Sequence, residues 1–210
     1  MSATALVVDP ASMSAVRGIM DDTSAPYIVS DDKLRTVMRD SRRTVMFRDP
    51  AYASSGINPY YTYRGRIPVP ANDTETSVLQ AQGDLRTYQA KPYYRHWDAN
   101  GTVLVWWNGV QKTITTDYDV NYLEGRVVFT SDVQDWEMIT VTASYYPVYF
   151  ISRQILLQQM ASAQGGGAKL SDQAGDDKWT YAGIKDRIFA LDQMVASMAP
   201  RTIRREMKLY

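Results

Sequence analysis

The residues best suited to chemistry are few and scattered. The one histidine, His96, stands in Tyr93-Tyr94-Arg95-His96-Trp97, and no second histidine exists for a metal site. A lone histidine among aromatics is more often packed or hydrogen-bonded than catalytic, and no nucleophile-elbow motif accompanies it. Asp117 and Asp119, two apart in strand-like sequence, would share one face. Glycosidase chemistry is the remote reading of such a pair, and exposed carboxylates at a turn edge are the simpler one. Gly165-Gly166-Gly167-Ala168-Lys169 superficially resembles a phosphate loop, but it lacks the Gly-Lys-Ser/Thr ending and follows a helix, not a strand. Asp172, Asp176 and Asp177 lack the Gly-centred loop ending in glutamate that calcium requires. With no cysteine, thiolate metal sites, cysteine nucleophiles and a disulfide framework are excluded. The sequence therefore predicts no enzyme, no cofactor and no metal.

The elements that would position any site come in three blocks. Asp9-Pro10 opens a short helix, Pro10 standing where a missing N–H costs nothing, with Met13, Val16, Ile19 and Met20 on one face. Asp21 to Pro26 breaks it. Ser30 caps a second helix, Asp31 and Asp32 occupy its first turn, and Leu34, Val37, Met38, Ser41 and Val45 make the predicted buried stripe. Lys33, Arg35, Arg39, Arg42 and Arg43 lie largely outside that stripe. A solvated basic face is the usual meaning, and Arg35, Arg39 and Arg42 are candidates for docking an acidic partner.

From Asp49 to about Pro147 the helical period vanishes. Thr62 to Ile67, Thr76 to Gln80 and Arg86 to Lys91 are weak strand candidates. Thr102 to Trp107 is a strong one, and Asn108-Gly109 turns it into a return strand at Gln111 to Thr115. Tyr118, Val120 and Tyr122 alternate before Leu123-Glu124-Gly125, and Val127 and Phe129 alternate after it, which predicts a second hairpin with Gly125 at positive φ. Met138 to Tyr146 closes the region, with Ile139, Val141 and Ala143 on one face. Trp106 and Trp107 are adjacent, so in a strand they point to opposite faces and at least one leaves the main core. Most of the 15 tyrosines and 5 tryptophans fall between Tyr52 and Tyr181, which suits both a packed core and a contact surface.

Helical period resumes at Val148 and is predicted to stop before Gly165. A last helix starts at Thr180 or Tyr181, with Ile184, Ile188, Leu191, Val195 and Met198 forming a seam and Asp192 facing outward. Pro200 ends it. The predicted fold class is α+β: a discontinuous helical bundle from residues 1–49 and 148–199, an inserted antiparallel β-sandwich or barrel-like domain at 50–147, and an extended C-terminal tail at 200–210.

Lysine plus arginine, 23, equals aspartate plus glutamate, 23, so no overall charge draws the chain to nucleic acid. No signal peptide and no apolar run of about 18 residues is visible, so synthesis and assembly in the cytoplasm without a membrane are expected.

Three stretches carry a family resemblance. Val16-Arg17-Gly18-Ile19-Met20-Asp21-Asp22 followed by Ile28-Val29-Ser30-Asp31-Asp32-Lys33-Leu34 resembles the opening of head-to-tail connector (adaptor, head completion) proteins of tailed bacteriophages. Tyr118-Asp119-Val120 with Tyr122 to Phe129 is similar to a Y-x-V-x-Y-x-x-G-x-V-x-F hairpin of phage neck and tail proteins. The last two helices, Gly175-Asp176 and the C-terminal extension resemble that family's end. The resemblance implies a structural virion neck protein without chemistry, in a homo-oligomeric ring of twelve copies that bridges the portal protein to a stopper or tail-terminator. It implies that viral DNA passes through the lumen without specific binding, and balanced charge suits such a channel. Portal contact would fall to Arg201, Arg204, Arg205, Lys208, Leu209 and Tyr210 of the tail. Arg35, Arg39, Arg42, Trp106 and Trp107 are the candidates for inter-subunit or partner surface. The competing expectation is a carbohydrate- or receptor-binding accessory module of a phage tail or baseplate that uses the aromatic β domain.

Overall fold

A computed structural model describes residues 8–23, 27–48, 75–134, 137–166 and 181–198. The chain is α+β, with four helices and two mainly antiparallel sheets among the described residues. Chain contacts divide it into two compact units: Met1–Asp9 with Arg42–Pro147, and Pro10–Ser41 with Val148–Tyr210.

The helical unit holds α1 (Pro10–Met20), α2 (Asp31–Asp40), α3 (Val148–Gly166) and α4 (Tyr181–Met198). Pro10 is the first helical residue of α1, and Ser30 caps α2 by accepting from the Lys33 N–H at 3.4 Å. α1 and α4 both pack on α3. Met13, Val16 and Met20 of α1, Ile151, Ile155 and Leu156 of α3, and Ile184, Ile188, Leu191 and Val195 of α4 are buried. Each such side chain contributes roughly 1.5–3 kcal/mol of burial, which short helices need because they are marginal alone.

Two helix ends differ from the sequence reading. α2 stops at Asp40, where Ser41 closes it by donating its N–H to the Val37 carbonyl at 3.0 Å. Val45 therefore leaves the predicted helical stripe and lies in a strand. Valine, methionine and phenylalanine at 45–47 find more burial in a sheet than a lone helix end offers. α3 runs on through Gly165 and Gly166, beyond its predicted stop.

The β unit holds β1 (Arg43–Arg48), β2 (Glu75–Val78), β3 (Gln80–Ala81), β4 (Thr87–Gln89), β5 (Leu104–Trp107), β6 (Val110–Gln111), β7 (Tyr118–Asn121), β8 (Arg126–Phe129) and β9 (Ile139–Tyr145). One sheet has the order β2-β1-β9-β5-β6 and the other β3-β4-β8-β7. β1 lies between β2, to which it is parallel, and β9, to which it is antiparallel. The parallel pair is a departure from the wholly antiparallel insert predicted above, and so is the membership of residues 43–48 in the sheet. Thr62 to Ile67 lies outside the described residues.

The Asn108-Gly109 turn forms as predicted, with φ of 52° and 77°. Its return strand is only β6, shorter than the predicted Gln111 to Thr115. The Asp117 carboxylate takes the Thr113 N–H at 2.8 Å and the Thr115 N–H donates to the Tyr118 carbonyl at 2.7 Å, which curls the chain away from β5. Thr115 sits at φ 69°, unusual for a β-branched residue. Asp117 thus belongs to this turn while Asp119 is in β7, so the two do not share a strand face.

Candidate functional site

The β7–β8 hairpin has the register Asn121↔Arg126, leaving Tyr122 to Gly125 as its turn, with Gly125 at φ 60°. Segment 90–97 docks on this turn. The Ala90 N–H donates to the Gly125 carbonyl (2.8 Å), the His96 N–H to Leu123 (3.1 Å) and the Trp97 N–H to Tyr122 (2.7 Å). Trp97 is buried, donates from Nε1 to the Tyr94 carbonyl at 2.9 Å, and packs against Phe47 with ring centroids 5.5 Å apart. A bulky, satisfied indole is thereby fixed over a glycine turn.

Beside it lies a polar group that the sequence did not suggest. Glu75 accepts from Arg43 at 2.9 Å and from the Tyr145 hydroxyl at 3.0 Å. Tyr94 packs edge-on against both Tyr145 (5.4 Å) and Tyr93 (5.0 Å). Burial, and then the Glu75 charge, push the Tyr145 and Tyr94 hydroxyls far above the ordinary tyrosine value. Burial works to lower the Arg43 pKa, but the hydrogen bond and charge of Glu75 outweigh it and the net is a rise. The cluster pins the parallel strand β2 to β1 and β9. A hydroxyl held this firmly protonated is a donor and not a base.

A second polar knot surrounds Asp98, which is buried. Its carboxylate accepts from Arg42 at 2.8 Å and from the Asn100 N–H at 3.0 Å. Burial, then the Asp98 charge and hydrogen bond, raise the Tyr146 hydroxyl. Arg42, a candidate for partner contact, is therefore engaged within its own unit.

His96 is half-buried at φ 64°. Its carbonyl accepts from the Tyr146 N–H at 2.9 Å, and Nδ1 is buried without a hydrogen bond among the described residues. Burial depresses the imidazole pKa, opposed by Asp9 and reinforced by Arg95. No hydroxyl or thiol nucleophile is hydrogen-bonded to it among the described residues. Nor do three histidine, cysteine, aspartate or glutamate side chains converge as a metal site among those residues.

Trp106 and Trp107 occupy opposite faces of β5. Trp107 meets Phe129 at 5.4 Å with Lys112 over its ring at 5.2 Å, and Phe129 in turn meets Tyr88 and Tyr118. Trp106 is half-buried on the other face, paired with Thr140 and Gln111.

In the helical unit, Arg17 is buried on α1 among its apolar residues. It donates to Asp22 at 2.7 Å, to the Val29 carbonyl at 2.8 Å and to Asp31 at 2.6 Å, with the Tyr27 ring 3.8 Å away. Asp22 also accepts from the Ile28 and Val29 N–H groups. This clamp sets the turn between α1 and α2. Its signal in the sequence was a cation inside an apolar stripe with a carboxylate five residues on. Arg187 of α4 donates to the Met20 carbonyl and to Asp21 at 2.7 Å. Arg35 pairs with Asp32 at 3.1 Å and Arg39 with Asp40 at 3.3 Å, exposed pairs of small energetic weight. The basic face of α2 is thus interleaved with acids, and Arg42 is not part of it. Asp192, expected to face outward, is 36% exposed and accepts two hydrogen bonds from Arg153, at 2.6 and 3.3 Å.

Arg201, Arg204, Arg205, Lys208, Leu209 and Tyr210 lie outside the described residues, as do Asp172, Asp176 and Asp177. Among the described residues, no helix is long and apolar enough to cross a membrane. Comparison with protein-family models, curated proteins and solved structures found no match to this chain.

Proposed function

We propose that the chain is a structural subunit of the neck of a tailed bacteriophage: an adaptor that forms a ring between portal and stopper or tail-terminator and continues the DNA channel. The observation that carries this reading is the division of the chain. Pro10–Ser41 and Val148–Tyr210 make one helical unit, while Arg42–Pro147 with Met1–Asp9 makes a β unit, which is close to the layout read from the sequence, with a β insert beyond the all-helical minimal adaptor. In this reading the helical unit is a discontinuous bundle, the β unit is an inserted sandwich, and the role is scaffolding without catalysis. The Arg17–Asp22 clamp gives the opening V-R…D pattern a physical reason. The well-buried tyrosine hydroxyls and the half-buried histidine serve packing, which agrees with a load-carrying part. Portal contact is assigned to the tail residues Arg201, Arg204, Arg205, Lys208, Leu209 and Tyr210. The test is native mass measurement of the protein alone and mixed with the portal of its own virus. A stable portal complex is expected, and a chain that ignores the portal under all assembly conditions overturns the reading.

A second reading is favoured by Trp106, which is half-buried on the sheet face opposite the Trp107–Phe129 contact. The part of an indole left open on a sheet face is suited to stack on a sugar ring, so in this reading the β unit would bind a glycan receptor. Glycan-array binding that is lost in Trp106→Ala supports it, and a blank array removes it.

A further inference from the structure

The chain passes between the β unit and the helical unit at three points: after Asp9, before Arg42 and after Pro147. Within the β unit, the residues at all three bear on one short segment, His96 to Asp98. The His96 carbonyl accepts the Tyr146 N–H at 2.9 Å, one residue before Pro147. Asp98 accepts from the Arg42 guanidinium at 2.8 Å, and its N–H donates to the Ser144 carbonyl at 2.8 Å. The Asp9 charge acts on both His96 and Tyr146.

This segment is held against its own preference. His96 sits at φ 64°, a left-handed conformation that a residue with a Cβ keeps only where its surroundings impose it. The imposing contacts are the His96 N–H on the Leu123 carbonyl, the Trp97 N–H on the Tyr122 carbonyl and the Tyr146 N–H on His96 itself. The imidazole Nδ1 is buried without a hydrogen bond among the described residues. A neutral ring tolerates this by carrying its one N–H on Nε2. A protonated ring carries an N–H on both nitrogens, and the buried one would then lack an acceptor.

We propose that residues 96–98 form a proton-operated clasp on the three exits of the β unit, which opens when His96 takes up a proton. Opening turns the ring to water, where Nδ1–H finds a partner, and relaxes the left-handed backbone. The surrounding charges decide the sign. Burial, the largest effect, and Arg95 oppose the imidazolium while Asp9 favours it, and the net favours the neutral ring. Asp98 is engaged by Arg42, and Glu124 of the hairpin turn by Arg126 at 3.0 Å. Tyr122 of the turn, Tyr145 and Tyr146 add hydroxyls, and burial pushes those of Tyr145 and Tyr146 up. The closed clasp therefore takes its proton below the ordinary histidine value of about 6.5, and the open one takes it near that value. Above about 6.5 the clasp stays closed. As pH falls further the open form binds more protons and gains by up to about tenfold per pH unit, until the closed form is protonated too. This holds for the free chain and rests on neither the neck nor the glycan reading.

Amide hydrogen exchange of the full chain at about pH 7.5 and about pH 5.5, corrected for the intrinsic pH dependence of exchange, tests it. Protection at the His96, Trp97, Asp98 and Tyr146 amides should fall by up to about tenfold at the lower pH, while β5 and β8 keep theirs. His96→Asn tolerates the left-handed backbone and does not titrate, so it should remove the difference. His96 is the one histidine, so its ring gives a single magnetic-resonance signal in the unaltered chain. That signal should titrate below about 6.5, in step with the four amides. Equal loss across both sheets, no loss at the lower pH, the same loss in His96→Asn, or a ring that titrates at its ordinary value overturns the inference.

Discussion

Gly125 lies so close to Trp97 that a Cβ placed on it would stand 2.9 Å from the indole Nε1. The same glycine has φ 60°, so two independent constraints meet at one position. The indole cannot retreat, since Nε1 is bonded to the Tyr94 carbonyl and the ring is buried against Phe47. Gly125→Ala should therefore cost more than the ~1 kcal/mol of a simple left-handed glycine, and about 2–4 kcal/mol once overpacking is added. Urea unfolding followed by tryptophan fluorescence measures it. A loss below 1 kcal/mol would mean that Trp97 is free to shift.

The Arg17–Asp22 pair makes a non-additive prediction. Removing one member of a buried pair leaves the other charged and unpaired, at a cost of about 3–5 kcal/mol. Asp22→Ala also strands the Ile28 and Val29 N–H groups. Arg17→Met, Asp22→Asn and their double variant, compared by thermal unfolding, should show a double loss well below the sum of the singles. Additive losses would show that the two residues act separately.

His96 makes a pH prediction. Its folded pKa is lowered from the ordinary value, mainly by burial. Between the folded value and about 6.5, the unfolded chain binds more protons than the folded one, so stability falls as pH drops through that window. Above about 6.5 the contribution is fully present. Asparagine tolerates the left-handed backbone, so His96→Asn should keep the fold and flatten the slope below pH ~6.5. Denaturation midpoints taken across this range decide it, and an unchanged slope would assign the pH dependence to other groups.

The Glu75 cluster should hold β2 in place. Tyr145→Phe removes one hydrogen bond to a carboxylate and should cost about 1–3 kcal/mol. Hydrogen exchange at residues 75–78 should rise in Glu75→Gln more than at β8. Uniform loosening of both sheets would argue against a local latch.

Truncation at Pro200 tests the portal assignment. Deleting residues 201–210 should leave the unfolding transition unchanged and abolish portal attachment in the mass measurement. Attachment by the truncated chain would move the contact elsewhere.

Much of the secondary structure was readable before any coordinates. Ser30 as a cap, Pro10 as a helix start, the Asn108-Gly109 turn and the glycine of the β7–β8 hairpin are each decided by a few neighbouring residues. The inward stripe of α4 shows in the period of Ile184, Ile188, Leu191 and Val195. The strand at 43–48 was not readable in this way, because an apolar run this short does not distinguish helix from strand. Pairing with β9, almost a hundred residues later in sequence, decided it.

Of the candidate site residues, the sequence by itself determined little beyond residue type. It marked Trp106 and Trp107 as divided between faces, because strand geometry leaves adjacent residues no alternative. Which of the two meets Phe129 was decided only by how the sheets meet. That Arg42 is engaged by Asp98, and that Arg43 and Tyr145 converge on Glu75, depends on partners 32 to 70 residues apart. Turn chemistry and periodicity act over one or two turns of chain and are therefore written locally. Burying a charge is tolerable only where a partner is also brought in, and that is a property of the folded chain alone.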